Sequence, residues 1–356
     1  MAYTPAPKTE LLQPYDPVAG TYRIRLDANE SFLLPTEDDR QRMAQAAAEV
    51  ALNRYPDPTA ADLCAAFAKL YGVDPALVTA GNGSDELISV IMSAFLQKGE
   101  KVLTVKPDFS MYAFYASITE TPCLTLDKDE NLQIDVQQLI DTIQSEQIRL
   151  FIFSNPCNPT SVGLDKAAVR RMVTETDALI VLDEAYMDFW DQSLLSEAGQ
   201  YDNLIVLRTC SKALGMAALR VGFAIANAKL TGILRAAKSP YNVNAVTQEM
   251  TRIVLENPVY YDVYRDLLLA SRDQLFTGMK KLEEKGLVDR VYDTRTNFVF
   301  VKLAGARFVY EELLDRGIIV RCFGNEYLRI TAGTQGENNE VLASLNFLLK
   351  SNLTRE

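Results

Sequence analysis

Five short runs of β-branched and aromatic residues, separated by stretches with helical periodicity, constrain this chain more than any other feature. "KVLTV" (Lys101–Val105), "LFIF" (Leu150–Phe153), "ALIVLDE" (Ala178–Glu184), "NLIVLR" (Asn203–Arg208) and "VGFAIA" (Val221–Ala226) are almost wholly apolar, so each predicts a strand buried on both faces. Such strands need helices above and below, and the patterns over Asp85–Leu96 and Leu164–Thr176 supply them. The expected class is α/β: a mostly parallel central sheet with helices on both faces. Ligands of such sheets bind beyond the carboxyl ends of the strands.

The alternation stops near Pro258. A long helical pattern follows, with Tyr264, Leu268, Leu275, Met279 and Leu282 on one face, and Gly286 ends it as a C-terminal cap. Then come "NFVFVKL", "IIVRCF" and "YLRIT" as strands and a last helix from about Asn338, which together read as a smaller α+β domain. The expected organisation is an N-terminal arm with part of the small domain in residues 1–50, a large domain over 51–256 and the small domain over 257–356. There is no internal repeat.

Charge and residue usage remove whole classes of chemistry. A net charge of -11 argues against nucleic acid or an anionic membrane as partner, because both need a basic face. An anionic ligand must then be met by local arginines or lysines. The opening "MAYTPAPKTELLQPYDP" lacks the basic head and apolar run of a secretory signal, and no stretch of roughly 18 apolar residues occurs, so a cytoplasmic location is expected. The five cysteines are scattered and form no C-x-x-C pair, which fits reduced, buried thiols. The chain has no histidine, so Ser-His pairs, histidine metal triads and imidazole acid-base chemistry are all excluded. Catalysis here has to use Lys, Tyr, Asp or Glu, or a cofactor; no metal is expected.

Four stretches could carry it. "AGNGSDELI" (Ala80–Ile88) is a glycine-rich turn opening a helix, whose free amides suit an anion; Gly-rich helix starts are also common without ligands. "SNPCNPTSVG" (Ser154–Gly163) sets Asn155 and Asn158 before prolines in a stiff turn, and a structural turn alone would explain it. "VLDEAY" ends a strand with Asp183, Glu184 and Tyr186; without a P-loop it is no nucleotide hydrolase magnesium site, and Asp183 as a helix cap is the plain alternative. "TCSKALGMAALR" (Thr209–Arg220) puts Lys212 among small residues beside the hydroxyls of Thr209 and Ser211. Lysines at such places usually snorkel to water. Desolvation instead would lower the amine's pKa and expose a neutral nucleophile.

Taken together with "LQPY" (Leu12–Tyr15), "LDANES" (Leu26–Ser31), "RYPDP" (Arg54–Pro58), "TNFVF" and "YLRITAGT", these motifs stand in family order along essentially the whole chain. The chain resembles the fold-type I pyridoxal phosphate aminotransferases of class I and II, most closely the group acting on histidinol phosphate. The resemblance implies the pyridoxal phosphate transferase fold, with a small C-terminal domain beside the large one. It makes Lys212 the Schiff-base lysine and proton carrier, Asp183 the partner of the pyridine nitrogen, and Tyr186 and Asn158 the partners of the phenolic oxygen O3′. Phe109, in "PDFSMY", falls where an aromatic ring stacks on the cofactor. The phosphate would take Arg220, Thr209, Ser211 and the amides of Ser84 and Asp85, with Tyr55 reaching in from the other subunit of a homodimer.

Arg329 and Arg321 match the arginines that bind the substrate's anionic group, and Tyr15 and Asn29 fall near the substrate. The implied reaction moves an amino group between histidinol phosphate and 2-oxoglutarate. An aromatic amino acid aminotransferase, a threonine-phosphate decarboxylase and a β-eliminating lyase share the fold; a sensor module of a transcription regulator would need a fused DNA-binding domain. Departures from the family pattern are "NESFLLPTED", which lacks the usual Pro-x-Gly, Cys157 and Ser161 in the asparagine turn, and "MAALR" for L-A-G-L-R.

Overall fold

The computed structural model describes residues 3–6, 8, 9, 12 and 18–353. After a two-residue strand β1 (Ile24–Arg25), the middle of the chain supplies β2 (Val78–Gly81), β3 (Lys101–Lys106), β4 (Cys123–Asp127), β5 (Ile148–Ser154), β6 (Leu179–Asp183), β7 (Leu204–Thr209) and β8 (Gly222–Ile225). These seven form one sheet in the order β2-β8-β7-β6-β5-β3-β4. From β7 to β4 neighbours run parallel, whereas β8 runs antiparallel to both β7 and β2.

The five apolar runs all became strands of this sheet, within two residues of their expected ends. Period-2 geometry sends their side chains to opposite layers. Leu103, Phe151, Phe153, Ile180, Leu182, Val206 and Phe223 belong to one core cluster; Val102, Leu150, Ile152, Val181, Ile205 and Ala224 belong to another. Each fully buried side chain of this size stabilises the fold by about 1.5–3 kcal/mol. The helices Ser84–Phe95, Met111–Ile118 and Ala228–Ala237 supply residues to the second cluster, and Ala61–Tyr71, Val136–Ser145, Lys166–Thr174 and Ala245–Leu255 to the first. Several of these helices start on a side-chain cap, among them Asp135, Asp165, Asn227 and Asn244, each accepting from an amide three residues on. Two strands were not expected: β2, short and made of small residues, and β4, a half-exposed edge strand mixing Thr, Asp and Cys with leucines.

The C-terminal part is built on β9 (Arg290–Val291), β10 (Phe298–Lys302), β11 (Ile318–Ile319), β12 (Arg321–Phe323) and β13 (Tyr327–Thr331). An antiparallel sheet of order β12-β13-β10-β9 forms, while β11 leaves it to pair in parallel with β1. The run "IIVRCF", expected as one strand, is therefore cut at Val320 between two partners. The helix Pro258–Glu284 joins both cores: Tyr260 belongs to one large-sheet cluster, while Leu275, Met279 and Leu282 pack with Ile24, Val299 and Leu328. The final helix, Gln335–Leu353, begins three residues before Asn338. Among the described residues no helix is long and apolar enough to cross a membrane.

Candidate active site

The carboxyl ends of the strands converge on one edge of the sheet. Gly81, Lys106, Ser154, Asp183 and Thr209 end β2, β3, β5, β6 and β7, and the reversed β8 brings its first residue, Gly222, to the same edge opposite both Gly81 and Thr209. The helix Ser84–Phe95 starts there without a side-chain cap, on Gly83 at φ 85°. A Cβ on Gly83 would lie 2.9 Å from an Arg220 guanidinium nitrogen, and one on Gly222 would lie 2.2 Å from the Ser84 amide nitrogen. Both glycines exist to let backbone and arginine close on one point. Arg220 itself takes a left-handed φ of 54°. Beside it, Thr209 donates to Ser211 Oγ at 3.0 Å and accepts from the Ser211 amide at 3.1 Å, so the Ser211 hydroxyl keeps its own proton to donate. Uncapped amides, a dipole end, a guanidinium and a hydroxyl make an anion cradle.

The two acids of "VLDEAY" separate in function. Glu184 is fully buried and pairs with Arg208 at 3.0 Å, which also reaches Asp188 at 2.9 Å. That pair is internal scaffolding. Asp183 caps no helix, since the turn Met187–Phe189 starts at Tyr186 without a side-chain cap; it accepts from the Ala185 amide at 3.0 Å and with its other oxygen from the Tyr112 hydroxyl at 2.8 Å. Burial pushes the Asp183 carboxyl up to about 6, against the pull of those two donors. Tyr112 was not singled out in the sequence. Its position three residues after Phe109 in "PDFSMY", in a chain without histidine to orient a buried acid, was the available signal.

Lys212 follows this edge and donates to the Ala28 carbonyl at 3.0 Å, with its ammonium 5.7 Å from the centre of the Tyr186 ring. The residue as a whole is half-buried. Burial lowers its pKa to about 8, helped by the nearby Arg329 and Arg220 charges.

Tyr186 is buried, and its hydroxyl accepts from Asn29 Nδ2 at 2.8 Å. Asn29, at φ 55°, is itself held by Thr331, which donates to its Oδ1 at 3.1 Å. Burial pushes the Tyr186 phenol up to about 12. Asn155 closes its turn by bonding both ways to Leu164, at 2.9 and 2.8 Å, whereas Asn158 Oδ1 accepts from the Arg329 guanidinium. One asparagine of the turn is structural and the other faces the site. Arg329 also donates to the Asp27 carbonyl, and its guanidinium lies 5.4 Å from the Phe298 ring centre. Arg321 and Arg329 are direct cross-strand partners on β12 and β13, so both project to one face. Two like charges placed so are unfavourable without an anion between them.

Phe109 packs edge-on against Tyr112, with ring centres 5.5 Å apart. Asp85 accepts from Tyr115 at 2.8 Å. Tyr55 is 81% exposed and stacks on Tyr241 at 4.6 Å, on the outer surface of the chain. Tyr15 lies outside the described residues.

The profile of the family "Aminotransferase class I and II" matches residues 22–345. A histidinol-phosphate aminotransferase of Clostridium novyi (strain NT) is 40% identical over 334 residues, 93% of each chain, and one of Thermoanaerobacter pseudethanolicus is 36% identical over 92% of this chain and 93% of its own. The crystal structure of histidinol-phosphate aminotransferase from Sinorhizobium meliloti in complex with pyridoxal 5'-phosphate shares the fold at a TM-score of 0.88, with 22% identity over 98% of this chain and 99% of that one. The residues at the sheet edge fit that cofactor: an anion cradle for a phosphate, a buried acid for a ring nitrogen and a desolvated amine for an aldehyde. This chain belongs to the class I and II aminotransferases, which work with pyridoxal phosphate.

Proposed function

We propose that this protein transfers the amino group of histidinol phosphate to 2-oxoglutarate, giving imidazole acetol phosphate and glutamate, as a step of histidine biosynthesis. The observation that carries the reading is Arg329, bonded to Asn158 and close enough to Lys212 to lower its pKa, with Arg321 as its direct cross-strand partner. Histidinol phosphate carries a phosphate ester where glutamate carries a carboxylate, so one arginine pair must accept both anions. The curated relatives named for this reaction cover nearly the whole chain.

When bound, pyridoxal phosphate supplies a carbonyl that takes up amines and a ring that draws electrons from the substrate Cα. The chain's part is to hold and to move protons. Arg220, Ser211, Thr209 and the amides of Ser84 and Asp85 grip the phosphate, at about 1.5–3 kcal/mol for each hydrogen bond to the charged group. Asp183, fixed by Tyr112 and the Ala185 amide, would keep a proton on the ring nitrogen. Asn158 and Tyr186 would hold the phenolic oxygen, and Phe109 would supply an aromatic face for the ring. Lys212 Nζ, whose pKa burial lowers to about 8, would be the amine that holds the cofactor and the base that carries the substrate Cα proton, a role worth about 100-fold to 10,000-fold. The same reading makes the protein a cytoplasmic homodimer, with the outward Tyr55 serving the partner's phosphate site; its five free cysteines suit a reducing compartment.

The deciding experiment mixes the cofactor-loaded enzyme separately with histidinol phosphate, phenylalanine and threonine phosphate and follows conversion of the cofactor to its aminated form. Fast conversion with histidinol phosphate, and glutamate formed on adding 2-oxoglutarate, is expected. Carbon dioxide released from threonine phosphate would replace the reading with a decarboxylase. Arg329→Ala should raise KM about 10-fold to 100-fold for histidinol phosphate and for glutamate alike, the loss expected for one or two charge-assisted bonds; a loss for only one substrate would refute a shared anion site.

A further inference from the structure

A buried ion pair behind the site has no part in the chemistry derived so far. The Asp108 and Lys128 side chains are each 2% exposed and stand 4.0 Å apart, at the ends of β3 and β4. Asp108 accepts from the Phe109 amide at 2.7 Å, from the Ser154 amide at 3.2 Å and from the Ser154 hydroxyl. Ser154 Oγ in turn accepts from the Asn158 amide at 3.1 Å. Lys128 donates to Cys157 Sγ at 3.0 Å, gripping the same asparagine turn from its other side. One carboxylate therefore ties together the backbones of Phe109 and Asn158, which come from different strands.

Stability alone gives a poor reason for this arrangement. Two buried charges lose hydration that their attraction offsets only partly, and an apolar pair of similar volume is often as stable or more so. Burial raises the Asp108 carboxyl, and Lys128 with the three donors pulls it back, so its charge depends on its surroundings being complete. What the charges do achieve is direction: a carboxylate with three donors fixes the positions of all of them.

We propose that Asp108, held by Lys128, is a positioning residue that sets Phe109 and Asn158 in fixed relation to each other and so orients the cofactor ring between its face and its phenolic oxygen. The inference rests on Phe109 and Asn158 being cofactor contacts, and the test separates the two. Holoenzyme carrying Asp108→Asn, Ser154→Ala, or the double change Asp108→Asn with Lys128→Met is compared with wild type. The readouts are melting temperature, release of pyridoxal phosphate, and visible circular dichroism per bound cofactor, which reports the asymmetry of the ring's surroundings.

Asp108→Asn should fold, release the cofactor about 10-fold faster, the effect of losing one charge-assisted bond, and show a weaker dichroic band. The double variant should melt higher than Asp108→Asn because no lone buried charge remains, yet keep the weak band and the fast release. Ser154→Ala, which removes the hydroxyl joining Asp108 to the Asn158 amide but leaves the Phe109 and Ser154 amides on the carboxylate, should lie between Asp108→Asn and wild type. If the double variant or Ser154→Ala is folded and matches wild type in both cofactor readouts, the inference is overturned, whether or not Asp108→Asn alone folds. Phe109→Ala and Asn158→Ala are the controls: wild-type behaviour in both would overturn the contacts themselves rather than the role of Asp108.

Discussion

Asp183 shows how one side chain can be costly to the fold and necessary to the site. Its carboxyl titrates near 6 in the folded chain, above the ordinary value of about 3.9, so the folded state prefers the protonated form. That preference is fully present below about pH 4 and is lost as pH rises through 6, leaving a cost on the order of 3 kcal/mol in the cofactor-free protein at neutral pH. Cofactor-free Asp183→Asn should therefore melt above cofactor-free wild type near pH 8, with the gap closing toward pH 4, while the order reverses once pyridoxal phosphate is added. Thermal melts of both forms across this range check it. Tyr112→Phe removes the donor that favours the ionised acid. The acid limb of the kcat profile should move up by about one pH unit, the equivalent of one such bond, with KM for 2-oxoglutarate nearly unchanged. A limb that stays put would mean that Tyr112 only fills space.

At the scale of elements, the buried strands were legible and their partners were not. "LIVLD" and "LIVLR" could be read as strands because burial on both faces leaves no polar position, whereas β4 on the edge, with half its residues exposed, has no such signature. Nor does an apolar run say which way it points: β8 reads like its neighbours yet runs against them. That reversal matters, since it delivers Gly222 to the cofactor edge against Ser84. Gly222→Ala would force a methyl to 2.2 Å from the Ser84 amide nitrogen, and backbone cannot step aside as a side chain can. A loss of about 1–3 kcal/mol in stability is expected from such overpacking, together with weaker cofactor retention as the helix start is pushed off its anion. Denaturant titration and cofactor release on the same samples measure both. In the asparagine turn local spacing treats the two asparagines alike and only the resemblance singles out Asn158; in the fold Asn155 ties the loop to Leu164 while Asn158 meets Arg329.

For the whole molecule, the long helix Pro258–Glu284 contributes to a core cluster at each end, tying the C-terminal sheet that carries the arginines to the large sheet that carries Lys212. Tyr55 faces outward on the same chain, stacked on Tyr241, and in the proposed reading another subunit covers it. Sedimentation should give a dimer. Hybrid dimers of Lys212→Ala and Tyr55→Ala chains should retain one intact site; if mixing restores no activity above that of either parent, the shared site is wrong.

The sequence by itself narrowed the chemistry available: without histidine, and with Lys212 set among small residues just after Thr209 and Ser211, catalysis was left to Lys, Tyr, Asp, Glu or a cofactor. It determined the α/β class too, because hydrophobic periodicity is a local property that each segment carries alone. The tertiary structure decided which groups share a charge environment. That Tyr112 holds Asp183, that Arg321 faces Arg329, and that Asp108 grips Ser154 are contacts between segments distant in sequence or set by strand register. Hydrogen bonds and pKa values depend on distances of a few ångströms, and only the folded chain sets those.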